Sequence, residues 1–149
     1  MGRAEHIELA VLCLIYKGDS FLLQDRIKQD WKGVTLPGGH IEKGESIIDA
    51  VIREMKEETG LTIYEPKLCG IKQFPTESGR YIVFLFRTDQ FRGEICSSEE
   101  GGMQWVAKSE LSEKNTVDDL EELIQVILDD SLTEFQYVIS ENKWNVVIK

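Results

Sequence analysis

The most constraining feature of this 149-residue sequence is a short helix, predicted over residues 46–59, with an apolar stripe and an acidic stripe side by side. Ser46 with Asp49 three residues later is a helix-start pattern, and Gly60 supplies a stop. Helical spacing places four apolar residues on one face, namely Ile48, Val51, Ile52 and Met55. The fold must therefore provide a core for this helix and accommodate charge beside that core.

Three glutamates occupy the neighbouring face of the same helix. Glu54, Glu57 and Glu58 stand at i, i+3 and i+4, so their carboxylates repel one another within one turn. They also lie near the end of the helix, where its dipole is negative and disfavours anions. A solvated charged face is the alternative, but that face would gain from a lysine four residues after Glu54, and Glu58 stands there instead. We therefore expect a divalent cation to neutralise the three carboxylates.

The loop before the helix, PGGHIEKGE at 37–45, supplies glycines that let backbone carbonyls come close to a ligand. A loop carbonyl with two or three carboxylates is a hard oxygen set, which suits Mg²⁺ or Mn²⁺ with phosphate oxygens as further ligands. Such a bridging ion would let a protein of net charge −10 bind a polyanionic substrate. The same net charge argues against stable nucleic-acid binding, which needs a basic surface.

Strand patterns dominate the rest of the chain and predict a single α+β domain over residues 1–149. Apolar runs at 7–16 and 21–26 flank the turn KGDS, which indicates a hairpin. Further strands are predicted at 34–36, 61–64, 80–88, 103–107, 134–140 and 144–149. A second amphipathic helix is predicted over 116–130. Its apolar face comprises Leu120, Leu123, Ile124, Ile127 and Leu128.

The composition also bears on the cellular location and on the state of the cysteines. No apolar run approaches the ~20 residues needed to cross a bilayer, and the N-terminus lacks a signal-peptide cleavage pattern, so we expect a cytoplasmic protein with no membrane association. Cys13, Cys69 and Cys96 are odd in number and widely spaced, which favours free thiols over disulfides or a zinc site. Nothing in the sequence decides between a monomer and a homodimer.

From Gly39 to Leu61 the sequence GHIEKGESIIDAVIREMKEETGL resembles the signature of the Nudix hydrolases. All nine specified positions are filled, by Gly39, Glu45, Arg53, Glu54, Met55, Glu57, Glu58, Gly60 and Leu61. The flanking order is also similar, with a hairpin before the segment and a WV strand and an amphipathic helix after it. The resemblance implies a Nudix fold, in which a mixed sheet lies between helices as an α/β/α sandwich. It also implies metal-dependent hydrolysis of a nucleoside diphosphate linked to another group.

The resemblance further implies roles for the residues of the helix and its loop. The metal ligands would be Gly38, through its carbonyl, with Glu54, Glu57 and Glu58. Glu54 has a second possible role as the general base. Glu45 and Arg53 would brace the loop and the helix and so support catalysis.

Residues outside the signature are assigned in the same way. In many members a later loop contributes a further acid, and Glu99 and Glu100 occupy a comparable place. We expect Glu99 at the metal and Glu100 as a base, with exchanged roles and a solvated loop as the alternatives. Arg26, after the second strand, and Gly39 are expected to contact the substrate.

The compact chain is more similar to MutT-type nucleoside triphosphate pyrophosphatases than to members with added recognition domains. The expected substrate is a nucleoside triphosphate such as 8-oxo-dGTP, cleaved to the monophosphate and pyrophosphate. An ADP-ribose or nucleotide-sugar pyrophosphatase is one alternative, and a non-catalytic nucleotide-sensing module is another. Candidates for base recognition, each with a core or loop role as its alternative, are Trp31, Phe74, Trp105 and Asn115.

Overall fold

The computed structural model describes residues 2–27, 32–99 and 101–149. The strands in this part of the chain are β1 (His6–Lys17), β2 (Ser20–Arg26), β3 (Gly33–Thr35), β4 (Gly38–His40), β5 (Thr62–Tyr64), β6 (Lys67–Pro75), β7 (Gly79–Thr88), β8 (Gln90–Arg92), β9 (Gly101–Ala107), β10 (Glu134–Ser140) and β11 (Lys143–Ile148). The α-helices are α1 (Ile47–Thr59) and α2 (Leu120–Leu128), and a 3-10 helix spans Lys108–Glu113.

A mixed sheet forms the centre of the described fold. Its strands follow the order β11-β10-β6-β7-β1-β2-β3, and in addition β4 pairs with β1 and β9 pairs with β2. β1 runs parallel to β7 and β10 runs parallel to β6, whereas the other pairs are antiparallel. β5 and β8 form a separate two-stranded ribbon. Because β4 pairs with β1, the loop before α1 is held against the middle of the sheet.

Alternate residues of β1 face opposite sides of the sheet and contribute to two separate cores. Val11, Cys13 and Ile15 pack in the core that includes α1. Ala10 and Leu14 pack in the core that includes α2. A strand buried on both faces explains why the 7–16 run is almost continuously apolar. The two helices cover opposite faces, as the predicted α/β/α sandwich requires.

The predicted start and end of α1 are confirmed, but its predicted buried face is partly wrong. The backbone N–H of Asp49 donates to Ser46 Oγ at 3.2 Å, and Gly60 ends the helix with a left-handed φ of 85°. Ile48, predicted to face the core, is 44% exposed. The buried residues of α1 are Ala50, Val51, Glu54, Met55 and Thr59. The buried stripe is rotated toward the acids, so that Glu54 lies within it.

Other elements differ from the predictions in extent. α2 begins at Leu120 because Asp119 adopts a left-handed φ of 63°, which a continuous helix excludes. The sequence patterns do not indicate β4, β6 or β8, because β4 contains two glycines, β6 mixes polar and apolar residues, and β8 is only three residues long. The predicted C-terminal hairpin is confirmed, with positive φ at both turn residues, Glu141 and Asn142.

The cysteines are free thiols, as predicted. Cys13 is buried, Cys69 is half-buried and Cys96 is exposed. No helix in the described ranges is both long enough and apolar enough to cross a membrane.

Candidate active site

Arg53 on α1 donates five hydrogen bonds, of which three connect the helix to the loop in front of it and two bind acids of the same helix. Its Nε and Nη2 bind the two oxygens of Glu45 at 2.8 and 2.9 Å, and Nη2 also donates to the carbonyl of His40 at 3.0 Å. Nη1 donates to Glu54 at 2.9 Å and to Glu57 at 3.2 Å. A bidentate guanidinium–carboxylate pair fixes orientation as well as distance. The loop and the carboxylates of α1 are therefore held in one relative position.

Glu45 is stabilised in its charged form. Hydrogen bonds from Arg53, followed by one from the backbone N–H of Glu42, lower the pKa of Glu45 to about 2. The carboxylate therefore stays ionised at neutral pH. This placement agrees with the bracing role that the resemblance implies for Glu45 and Arg53.

Glu54 lies in the opposite electrostatic environment. It is only 8% exposed, and burial raises its pKa, an effect that Arg53 opposes and the neighbouring carboxylates of Glu57 and Glu58 reinforce. Gly39 packs directly on it, since a Cβ at Gly39 would overlap the Glu54 carboxylate. The glycine is thus needed for space rather than for an unusual backbone conformation.

Glu58 is held by two residues that the sequence analysis does not identify. Gln24 Nε2 donates to Glu58 Oε2 at 3.0 Å, and Ser98 Oγ donates to the same oxygen at 3.1 Å. Gln24 lies on β2 and is only 2% exposed. Buried amide side chains almost always have a hydrogen-bond partner, and here that partner is Glu58. A glutamine within the apolar run FLLQ is the one local signal that could have identified it.

The strand register turns the Gly38 carbonyl to the same edge of β4 as the His40 carbonyl. Cys13 N–H donates to the Pro37 carbonyl and Ile41 N–H donates to the Leu9 carbonyl, so the odd-numbered residues around β4 face β1. Carbonyls alternate along an antiparallel strand, and those of Gly38 and His40 therefore point away from β1. The His40 carbonyl accepts from Arg53, which locates this edge next to the acids of α1.

The donor set fits a hard divalent cation, because it consists of carboxylates and a backbone carbonyl. Gly39 leaves room beside Glu54 that a side chain would fill. Within the described ranges, however, no three His, Cys, Asp or Glu side chains are close enough to hold a metal as they stand. Glu54 and Glu57 turn toward Arg53, whereas Glu58 turns toward Gln24. A cation would therefore compete with Arg53 for the first two, while Arg53 keeps Glu45.

The later-loop acids are only partly described. Glu99 is exposed in a tight turn, where Ser98 and Gly101 exchange two backbone hydrogen bonds of 3.2 Å. It directly follows Ser98, the residue that binds Glu58. Glu100 and the candidate base reader Trp31 lie outside the described residues.

Arg26 ends β2, two residues after Gln24. Side chains two apart on a strand share a face, so both residues lie on the face of the sheet that α1 covers. The geometry thus brings Arg26 to the same side as the acids. Trp105 packs against Phe91 at a ring distance of 5.6 Å in the core beneath α1, which agrees with the core alternative for this residue.

Two concavities among the described residues do not contain the acids of α1. One, of about 370 Å³, lies between the 3-10 helix and α2 and is lined by Leu111, Ile124 and Leu128 among others. The other, of about 430 Å³, lies over β6 and β10 near Gln73 and Gln136. We place the candidate site at the open surface around Arg53, because the convergent carboxylates and carbonyls are there and the two concavities offer no comparable set.

Comparison with known proteins agrees with this geometry. Residues 6–127 match the NUDIX domain. The chain belongs to the Nudix family. The predicted family and the predicted fold are thereby confirmed.

Several Nudix relatives are similar over part of their length. The chain is 37% identical over 106 residues to the uncharacterized Nudix hydrolase YvcI of Bacillus subtilis, a match that covers 67% of this chain and 66% of that one. It is 37% identical over 98 residues to the ADP-ribose pyrophosphatase of Methanocaldococcus jannaschii (64% and 58%). It is 39% identical over 77 residues to the oxidized purine nucleoside triphosphate hydrolase of Danio rerio (50% and 47%). The chain thus spans less than two thirds of each relative.

A solved structure matches over almost the whole Nudix chain. The mutator MutT protein from Bacillus halodurans superposes with a TM-score of 0.77 at 28% identity, covering 95% of this chain and 97% of that one. The similarity therefore includes the sheet and both helices.

Proposed function

We propose that this Nudix protein hydrolyses the pyrophosphate linkage of a nucleoside triphosphate, with 8-oxo-dGTP as the first substrate to test, giving the monophosphate and pyrophosphate. The observation that carries the proposal is the Arg53 network, which holds Glu45, Glu54 and Glu57 beside the carbonyl edge of β4. Mg²⁺ is the cation we propose, with Mn²⁺ as the second candidate, because both prefer oxygen ligands.

Each residue of the site has a proposed part in holding that cation. Glu54, Glu57 and Glu58 and the Gly38 carbonyl would be its ligands. Gln24 and Ser98 fix Oε2 of Glu58, which leaves Oε1 as the oxygen we propose for the cation. The Arg53–Glu45 pair keeps the loop and the helix at a constant separation. When bound, the cation would neutralise phosphate charge and lower the pKa of a water.

The reaction needs a proton acceptor for the attacking water. The water oxygen forms a bond to phosphorus, the bridging P–O bond breaks, and pyrophosphate leaves with the bonding electrons. A carboxylate within hydrogen-bond reach takes the proton. We propose Glu54 for this role, with Glu99 and Glu100 as the competing candidates. Arg26 and Gly39 would contact the phosphates.

The choice of substrate has support from named relatives. The zebrafish relative is an oxidized purine nucleoside triphosphate hydrolase, and the Bacillus halodurans structure is a mutator MutT protein. The second candidate function is ADP-ribose hydrolysis, which the archaeal ADP-ribose pyrophosphatase supports.

We also propose that residues 1–149 act as one domain in the cytoplasm. A homodimer is the assembly to test for by sedimentation.

The test is a hydrolysis panel of 8-oxo-dGTP, dGTP and ADP-ribose, with and without Mg²⁺, in which the released products are identified. We expect metal-dependent release of pyrophosphate from 8-oxo-dGTP, lost in Glu57→Gln and retained in Glu77→Gln, an exposed acid in the turn between β6 and β7. Cleavage of ADP-ribose alone would replace the substrate and keep the metal site. Absence of turnover with all three compounds would favour a nucleotide-sensing module.

A further inference from the structure

An aromatic face lies on the side of the sheet that α2 partly covers. It comprises Phe74, Tyr81, Phe135, Tyr137 and Trp144, and neighbouring rings are in contact. Phe74 and Tyr81 are stacked, with centroids 4.9 Å apart and planes at 14°, while Trp144 meets Phe74 and Tyr137 edge-on at 6.0 and 5.5 Å. Trp144 is 50% exposed, so solvent reaches this face.

Lys72 places its ammonium group within the aromatic face. Its Nζ lies 5.8, 5.6 and 5.5 Å from the ring centres of Phe74, Phe135 and Tyr137. The ammonium has no hydrogen bond or ion pair with any residue that the structure describes. Asp119 is the nearby opposite charge, and it accepts the Tyr137 hydroxyl hydrogen at 2.7 Å. Burial lowers the pKa of Lys72. The three N–H donors of the Lys72 ammonium group thus have no hydrogen-bond acceptor among the described residues.

The aromatic face and the candidate active site lie on opposite sides of the sheet and meet at His40 of β4. Strand register aligns Lys72 with Val83, Val83 with Ala10, and Ala10 with His40, so Lys72 and His40 lie on the same face three strands apart. Three strand spacings correspond to ~14 Å. Tyr81 Oη and His40 Nε2 are 2.8 Å apart, and the His40 carbonyl binds Arg53. His40 therefore lies between the aromatic face and Arg53, so a base on that face would direct its phosphates past β4 toward the acids of α1.

We propose that Lys72 determines base specificity by donating to O6 and N7 of a 6-oxopurine that lies on the aromatic face. Guanine and hypoxanthine present two acceptors on this edge, whereas adenine presents an N6 donor beside N7. A lysine has no acceptor for that donor, so adenine would lose one bond and bring two donors together. 8-Oxoguanine carries a hydrogen on N7 and keeps O6, so it would accept from Lys72 at O6 alone and the two-acceptor contact belongs to guanine and hypoxanthine. The inference rests on the proposed function only in placing the phosphates at α1.

A purely structural role for Lys72 makes a different prediction. Cation–π packing would stabilise the fold regardless of which base is offered. The decisive quantity is therefore the ratio of affinities for two bases, since a change in folding alone leaves that ratio unaltered.

The experiment is calorimetric titration with dGMP, dIMP and dAMP, the monophosphate products, which require no turnover. We expect the wild type to bind dGMP and dIMP about tenfold more tightly than dAMP. Lys72→Met should abolish that difference by weakening dGMP binding alone. Lys67→Met, an exposed lysine on the same strand that pairs with Asp130, is the matched control and should retain it. Equal wild-type affinities, or an unchanged ratio in Lys72→Met, would overturn the inference.

Two further variants protect the test against misfolding. Lys72→Arg retains donors and should retain the preference for dGMP, whereas Lys72→Gln, which can both donate and accept, should shift the preference toward dAMP. If no triphosphate is hydrolysed but the base ratio depends on Lys72, the proposed function fails and the inference stands. If 8-oxo-dGTP is hydrolysed but the ratio of affinities for dGMP and dAMP is the same in wild type and Lys72→Met, the inference fails and the proposed function stands.

Discussion

The two helices cover opposite faces of one sheet but distribute their charges differently. In α2 the acids Glu121 and Glu122 lie in the first turn, where the helix dipole favours them, and all buried residues are apolar. In α1, by contrast, Glu54, Glu57 and Glu58 lie toward the C-terminal end, and one of them is buried. The two first-turn acids of α2 favour the stability of that helix, whereas Glu54, Glu57 and Glu58 oppose the stability of α1.

At α1 the fold gives up stability at the residues proposed for function. Burial raises the pKa of Glu54, which means that the folded environment disfavours its charged form. Arg53 compensates in part, through contacts that also fix the loop. Natural proteins commonly retain such destabilising arrangements at functional sites. The contrast between α1 and α2 therefore supports the proposed cation site.

The largest expected effect comes from Glu54→Gln, which removes the charge and keeps the shape. We expect kcat to fall about 10³-fold, the scale of losing a general base. The thermal midpoint of the metal-free protein at pH 7 should stay the same or rise. The sign follows because a carboxyl whose pKa is higher in the folded state loses stability as pH rises from its unfolded pKa.

The matched change on the other helix is Glu121→Gln. We expect full activity and a decrease of about 0.3–1 kcal/mol in the free energy of unfolding, because an acid is removed from the N-terminal end of α2, where the helix dipole favours it. Steady-state kinetics and thermal denaturation of both variants give the comparison. A large loss of stability in Glu54→Gln would show that this acid serves the fold.

Two glycines in the loop before α1 are expected to be needed for different reasons, Gly39 for space beside Glu54 and Gly44 for its positive φ. Gly39→Ala places a methyl group on the Glu54 carboxylate, and we expect activity to fall about 10²-fold, the effect of a displaced catalytic group. Gly44→Ala meets no atom within 4 Å but has a φ of +76°, so it should cost about 1–2 kcal/mol of stability and leave activity intact. Equal activity of the two variants at a temperature where both are folded would contradict this assignment.

A smaller effect is expected for the residue that orients Glu58. Gln24→Met removes the donor to Glu58 Oε2 and should weaken Mg²⁺ binding about 10–100-fold, as removing a ligand's hydrogen-bond partner usually does. Gln125→Met on exposed α2 surface is the control and should bind as the wild type does. Titration calorimetry distinguishes them, and identical affinities would remove Gln24 from the site.

The smallest effect is a pH dependence from Glu45. Its pKa is about 2 in the folded protein, below the ordinary 4.5, so unfolding takes up a proton in this interval. Its stabilisation is therefore complete above about pH 4.5 and disappears as pH falls toward 2. Urea denaturation of wild type and Glu45→Gln should show a difference at pH 7 that shrinks over that interval. A difference that does not change with pH would contradict the ion pair with Arg53.

Local signals explain which features the sequence could predict. Ser46 and Gly60 define the ends of α1 because caps act on adjacent backbone groups. The resemblance of residues 39–61 indicated the acids and Arg53 together. Gln24 and Ser98 could not be predicted as partners of Glu58, because 34 and 40 residues separate them in the chain.

The rotation of α1 also depends on distant contacts. Ile48 fits an apolar stripe by periodicity, yet it is exposed, while Glu54 is buried beside Gly39 of β4. β6 is likewise not indicated by the local sequence. Its polar residues Lys72 and Gln73 interrupt the strand pattern, and its place is determined by pairing with β7.

A cation site on α1 is tested by Mn²⁺ binding, measured by electron paramagnetic resonance, to two double variants with identical chemistry on opposite helices. Glu57→Gln/Glu58→Gln removes adjacent acids from α1, and Glu121→Gln/Glu122→Gln removes adjacent acids from α2. We predict that the α1 variant loses high-affinity binding and that the α2 variant matches the wild type. Unimpaired binding by the α1 variant, or equal loss in both, would contradict a cation site on α1.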